Sequence, residues 1–169
     1  MYDIKDPTQR RFAVMGQNVF HIAEKLVHNQ NICRLLKYQT KDALNRTKRP
    51  DVDGIELINK QILIVPKIYD DSNDKMSYIV ALLDSFDVNP LNTDFKYSTI
   101  RFDIACPYDE WILDEASLRP YLIMEEIDKE FNQAKIGGIG SLQFLTARAL
   151  TLSPHIGGYT MRYQINEFN

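Results

Sequence analysis

Cysteine and histidine are scarce, with two and three among 169 residues. Cys33 and Cys106 stand in no CxxC or other metal-ligand spacing, so both are expected to be reduced thiols acting as small hydrophobes. A disulfide between them would need an oxidising compartment. Long apolar runs are missing too. A stretch such as Ile62-Leu-Ile-Val65 falls far short of the ~20 apolar residues that cross a bilayer as a helix. The start, Met1-Tyr-Asp-Ile-Lys-Asp-Pro7, lacks the basic-then-apolar pattern of a signal peptide, and the expectation is a protein made and kept in a cytoplasm, with no membrane partner. Phosphate-cradling glycines are absent as well. Gly137-Gly-Ile-Gly140 follows a helical pattern and enters a strand-like one, the reverse of a phosphate loop, and reads as a helix stop. No internal repeat or low-complexity segment interrupts the chain.

What is present is ordinary in bulk and patterned in detail. At 44% hydrophobic and 25% charged residues, the composition is that of a folded globular chain, and the length suits one compact domain. Two segments alternate cleanly. Ile100, Phe102, Ile104 and Cys106 interleave with Thr99, Arg101, Asp103 and Ala105; Tyr159, Met161, Tyr163 and Ile165 interleave with Thr160, Arg162, Gln164 and Asn166. Period-two runs predict strands with one buried and one polar face. Between them, residues 117–131 predict a helix that covers the apolar face, with Ser117 as its cap and Pro120 in its first turn.

The remaining elements follow from the same signals. Asp6-Pro7 predicts a helix start, and Phe12, Met15, Val19, Ile22, Ala23 and Leu26 keep amphipathic spacing after it. Asn31 predicts the cap of a second helix running to about Leu44, with Ile32, Leu35, Leu36 and Ala43 on one side and Arg34, Lys37 and Lys41 on the other. Residues 61–68 read as a strand that Pro66 confines to an edge or a bulge. Asp70–Asp74 and Asn89–Asn92 read as turns, and Tyr78–Phe86 as a strand buried on both sides. A strand from Ile139 to about Leu152, a turn at Pro154–Gly158 and the final strand complete the chain. The order α-α-β-β-β-α-β-β predicts an α+β fold: an antiparallel or mixed sheet backed by a long helix, with an N-terminal pair of helices. Residues 1–56 read as a helical segment with a basic connector, and 57–169 as the α+β domain.

No strong catalytic constellation emerges, and no cofactor is expected. His21, Glu24 and His28 fall within about a 60° arc of one helix and have the donor types for a divalent metal, but the arc lies opposite the apolar stripe and reads as a solvated polar face. Asp51-Val-Asp-Gly-Ile-Glu56 and Asp70–Asp74 lack the spacing of a calcium loop. Asp51, Asp94 and Lys96 have the residue types of a small metal-dependent nuclease, although the gap between the two acids is long for such a core.

Charge is the clearest partner signal. The net charge of −3 conceals a basic stretch (Arg34, Lys37, Lys41, Arg46, Lys48 and Arg49 against Asp42) and an acidic one at 109–130, which includes Glu125, Glu126, Asp128 and Glu130. The basic stretch could meet an acidic protein surface, as in a generic adaptor, or phosphates; with only Tyr38 among its basic residues, it is poorly suited to stacking single-stranded bases. Opposite patches on one subunit favour head-to-tail contacts, which close into rings.

From about residue 76 the order strand, strand, helix, strand, strand resembles the tail terminator proteins of long-tailed bacteriophages. The matching stretches are Tyr78-Ile-Val-Ala-Leu-Leu, Tyr97-Ser-Thr-Ile-Arg-Phe-Asp-Ile, Arg119-Pro-Tyr-Leu-Ile-Met-Glu-Glu-Ile-Asp and Gly158-Tyr-Thr-Met-Arg-Tyr. The resemblance implies a structural, non-enzymatic virion protein, assembled in the host cytoplasm, that forms a hexameric ring at the neck. Such a ring caps the tail tube, joins it to the head connector and lets DNA pass through its lumen without sequence-specific binding. On that reading 57–169 is the ring-forming domain, and the basic and acidic residues named above make inter-subunit or neck contacts. The first sixty residues depart from the family's minimal domain.

Overall fold

The computed structural model describes residues 11–70, 75–88, 95–135 and 141–168. Helices α1 (Arg11–His28) and α2 (Gln30–Lys37) lead into strands β1 (Ile62–Leu63), β2 (Tyr78–Val88) and β3 (Phe95–Pro107). Helix α3 (Arg119–Phe131) and strands β4 (Leu142–Thr151) and β5 (Ile156–Phe168) follow. This is the expected α+β order. The five strands form one mixed sheet in the order β1-β2-β3-β5-β4, with β1 parallel to β2 and every other pairing antiparallel.

Alternation along β3 and β5 sets the two faces. Their register pairs Ile100 with Tyr163, Phe102 with Met161 and Ile104 with Tyr159, so both apolar series fall on the same side. A slip of one residue would expose all of them. That side holds the main core: Ile79, Ala81, Phe102, Met161 and Tyr163 of the sheet share it with Leu26 of α1, Leu35 of α2, and Ile127 and Phe131 of α3. The Phe102 ring lies 5.0 Å from that of Phe131 and 5.8 Å, edge-on, from that of Tyr163. Each such ring, fully buried, contributes about 1.5–3 kcal/mol. All three helices therefore pack on one face, and the core runs without a break from the helical segment into the sheet.

The other face is covered only at one end. There Leu63, Tyr78, Val80, Ala105 and Ile156 form a small second core with Tyr69, Leu82 and Leu152. Strand β2 is thus buried on both sides only over Tyr78–Ala81, short of the expected Tyr78–Phe86: Leu82 and Leu83 are half-buried, and Asp84 and Asp87 are exposed.

Several local expectations are corrected. Helix α2 is capped by Asn29 rather than Asn31; the Asn29 Oδ1 accepts from the N–H groups of Asn31 and Ile32, each at 3.1 Å. It ends at Lys37 instead of near Leu44 because Tyr38 turns extended and a tertiary arginine takes the helix's last carbonyls. Lys41 and Ala43 accordingly lie in turns, off the helix. Strand β1 is two residues long rather than eight, although it keeps the edge position. Ser117 does not cap α3; Leu118 occupies the cap position with no side-chain bond, and the Ser117 hydroxyl donates to the Asp114 carbonyl at 2.9 Å.

Helix α3 stops at Phe131, ahead of the glycines. Gln133 adopts a left-handed φ of 61°, and its N–H donates to the Leu142 carbonyl at 2.8 Å, which turns the chain onto β4. Strand β4 is described from Leu142 to Thr151; its expected start at Ile139 lies outside the described residues. Gly157 and Gly158 belong to β5 rather than to a turn; a side chain on Gly158 would meet the Ile104 carbonyl oxygen at 2.1 Å. The expected features at Asp6-Pro7, Asn89–Asn92 and Gly137–Gly140, and most of the Asp70–Asp74 turn, lie outside the described residues.

Candidate functional site

The basic stretch does not form one helical face. Arg34 is buried, its side chain 4% exposed; its guanidinium donates to the Asp51 carboxylate and to the Arg49 carbonyl. Arg49 donates through Nε and Nη2 to Asp42 at 3.1 and 2.8 Å and lies over the Tyr38 ring. Lys48 approaches the same carboxylate at 3.9 Å. The Thr40 hydroxyl, followed by Arg49, holds the Asp42 carboxyl below its ordinary range. Lys37 pairs with Glu56 at 3.7 Å. Lys41 and Arg46 are exposed and make no ion pair among the described residues.

The four acids of α3 are also engaged within the chain. Glu130 accepts from Lys25 at 2.7 Å, and Glu126 accepts from Asn29 at 3.2 Å. Glu125 pairs with Lys129 at 3.0 Å, a contact that raises the lysine's pKa. Asp128 accepts from the Tyr163 hydroxyl at 2.8 Å and from Asn132. Burial, with that bond second, pushes the Tyr163 phenol well above its ordinary range. Here the acids fasten α3 to α1, to the start of α2 and to the sheet.

The folded chain also brings the two charged segments side by side. Lys41 and Asp42 share a groove of about 390 Å³ with Asp114 and Glu115, and the Asp114 N–H donates to the Lys41 carbonyl at 2.9 Å. Opposite charges thus meet within one subunit instead of standing at its two ends.

Arg119, within the acidic stretch, fastens this region. It is fully buried at the start of α3. Its guanidinium donates to the carbonyls of Leu35, Tyr38 (2.9 Å) and Thr40 (3.0 Å), and its Nε to that of Glu110 (2.9 Å). An arginine at a helix C-terminus satisfies orphan carbonyls and meets the negative end of the dipole. Burial lowers its pKa. Nearby, burial raises the half-buried Glu110 carboxyl, opposed by Arg119.

The uncovered part of the sheet face carries an interlocked charge network. Arg101 of β3 stands directly opposite Arg162 of β5, a like-charge pairing that disfavours the sheet by itself. Asp84 lies at the irregularity in β2 between Leu83 and Ser85 and meets both arginines. The Arg101 Nη1 donates to Asp84 at 2.6 Å. The Arg162 Nε lies 3.0 Å from the other Asp84 oxygen without hydrogen-bond alignment, so that contact is Coulombic. Asp103 accepts from the Arg101 Nε at 3.0 Å and from the Thr160 hydroxyl at 2.8 Å. The alternation placed Arg101, Asp103 and Arg162 on this face, but the irregularity that supplies Asp84 left no sequence signal.

His21 and Glu24 meet at 3.4 Å, and the His28 ring engages the Glu24 carbonyl at 2.7 Å. No group of three His, Cys, Asp or Glu among the described residues has the geometry to hold a metal ion. Asp51 of the nuclease candidate is taken by Arg34; Asp94 lies outside the described residues. No helix among the described residues is long and apolar enough to cross a membrane.

One comparison with known families matches, and it spans residues 29–165, from the cap of α2 almost to the end of β5, with the model of a family described as YomW. The chain belongs to the YomW family. This is a family of Bacillus phage-region proteins, so the match agrees with the phage part of the expectation at that coarser level. Its span includes α2 and the basic connector along with the sheet, so the family's unit crosses residue 57. No curated protein matches the chain.

Proposed function

We propose that this YomW-family protein is a structural, non-enzymatic phage virion protein: a tail terminator, or a closely related neck protein, that assembles into a homo-oligomeric ring. The ring, hexameric on the resemblance to tail terminator proteins, caps the tail tube, meets the head connector and lets DNA pass through its centre. The observation that carries the reading is the division of the sheet. All three helices pack on one face, and the exposed part of the other is polar, with Arg101 and Arg162 paired to Asp84 and Asp103. A subunit that lines a passage needs a surface that does not grip phosphates, and paired charges supply it.

Two further features suit a subunit. Strand β4 ends the sheet as a ten-residue edge with Phe144 and Leu145 exposed, where soluble monomers keep edges short or blocked. Lys41 and Arg46, the two residues of the basic stretch without an ion pair among the described residues, are the best candidates for contacts with a neighbouring copy or neck protein. Native mass spectrometry with negative-stain microscopy tests the reading: annular particles of sixfold mass support it.

A further inference from the structure

We infer that Asp84 is an electrostatic clamp that keeps Arg101 and Arg162 from binding nucleic-acid phosphates, so that the open sheet face touches a polyanion without holding it. The inference rests on the reading of that face as the one DNA passes. Its own support is geometric. Two guanidinium groups directly opposed on neighbouring strands make a compact dication, the arrangement that binds a phosphate backbone when it is available. Here it is not available. One carboxylate meets both, at 2.6 and 3.0 Å, and Asp103 takes the Nε of Arg101 at 3.0 Å.

The clamp is only partly buried. The Arg101 and Arg162 side chains are 28% and 38% exposed, that of Asp84 23%, so the arginines remain within reach of a solvent-borne anion once the carboxylate is neutralised. Arg148 of β4 pairs in register with Thr160, next to Arg162 along β5, and is exposed. Releasing the clamp would therefore leave three cations facing outward across β3, β5 and β4. The irregularity in β2 supplies the residue that prevents it, as such distortions commonly re-aim a side chain at a functional surface.

The test compares wild type with Asp84→Asn, which keeps shape and removes charge, in fluorescence anisotropy against a short DNA duplex of random sequence over a salt series. The clamp predicts that Asp84→Asn binds about tenfold more tightly at low salt, with a salt slope steeper by about two for two released phosphate contacts. Asp87→Asn makes the same change of net charge at an exposed site outside the network and should bind like wild type. Adding Arg162→Gln to Asp84→Asn should remove most of the gain. Equal binding by Asp84→Asn and wild type, or by Asp84→Asn and Asp87→Asn, overturns the inference. If Asp84→Asn fails to fold, Asp103→Asn frees the Arg101 Nε alone and should gain about threefold, with a slope steeper by about one; no gain there also overturns it. Oligomeric state, read on the same samples, separates this from the ring reading. A gain in a protein that stays monomeric even with phage tail tubes keeps the clamp and refutes the ring, and a ring without the gain does the opposite.

Discussion

The guanidinium of Arg119 donates to the carbonyl of Tyr38 across 2.9 Å, joining the first turn of α3 to the residue that ends α2. With its bonds to Leu35, Thr40 and Glu110, the contact explains why α2 stops where it does. The carbonyls that a longer helix would satisfy internally are satisfied by a side chain 81 residues away in sequence.

Replacing Arg119 by Met keeps the bulk and strands those carbonyls. A buried acceptor without a donor costs about 1–3 kcal/mol, so Arg119→Met should destabilise the fold by about 3 kcal/mol or more in urea unfolding. Arg119→Lys should recover little, since an ammonium cannot reproduce the fork of donors. A loss below about 1 kcal/mol for Met would contradict the role given to this residue.

Ser98 makes the opposite prediction. Its hydroxyl is buried on β3, between Phe86 and Ile165 in register, with no hydrogen-bond partner among the described residues. Removing an unpartnered buried hydroxyl relieves its desolvation cost, so Ser98→Ala should be neutral or stabilising by up to about 1 kcal/mol. Destabilisation by more than that, in the same urea measurement, would mean that the hydroxyl has a partner in solution.

Much of this was legible in the sequence, and what was not has a physical cause. Strict alternation in β3 and β5 gave their faces and the helix that covers them, because a slip of register would expose every apolar residue at once. The ends of α2 and α3 were not legible. Asn29 and Asn31 are equally good caps by composition, and the stop at Lys37 depends on Arg119, far along the chain. The basic stretch departs from one helical face for the same reason: the helix does not continue past Tyr38, and the acids that pair with Arg34 and Lys37 are Asp51 and Glu56, well along the chain.

The two cysteines give a pH signature. Both are free and buried. Burial raises the Cys33 thiol from 9.0 to about 11 and the Cys106 thiol from 9.0 to about 12. A folded pKa above the unfolded value means that the stabilising contribution is complete below the unfolded pKa and is lost as pH rises through the folded one. Stability should therefore fall above about pH 9 as the unfolded thiols ionise. At pH 8 neither thiol of the native protein should react rapidly with a disulfide reagent, and both should react after denaturation. Fast labelling of the native protein would place a thiol at the surface.

The central claim is self-assembly into a ring, and native mass spectrometry of the 19.7 kDa chain, with and without phage tail tubes, tests it most directly. The account predicts a sixfold mass, weakened by Lys41→Glu combined with Arg46→Glu, with added salt weakening wild type more than that variant. A protein that stays monomeric under both conditions would contradict it.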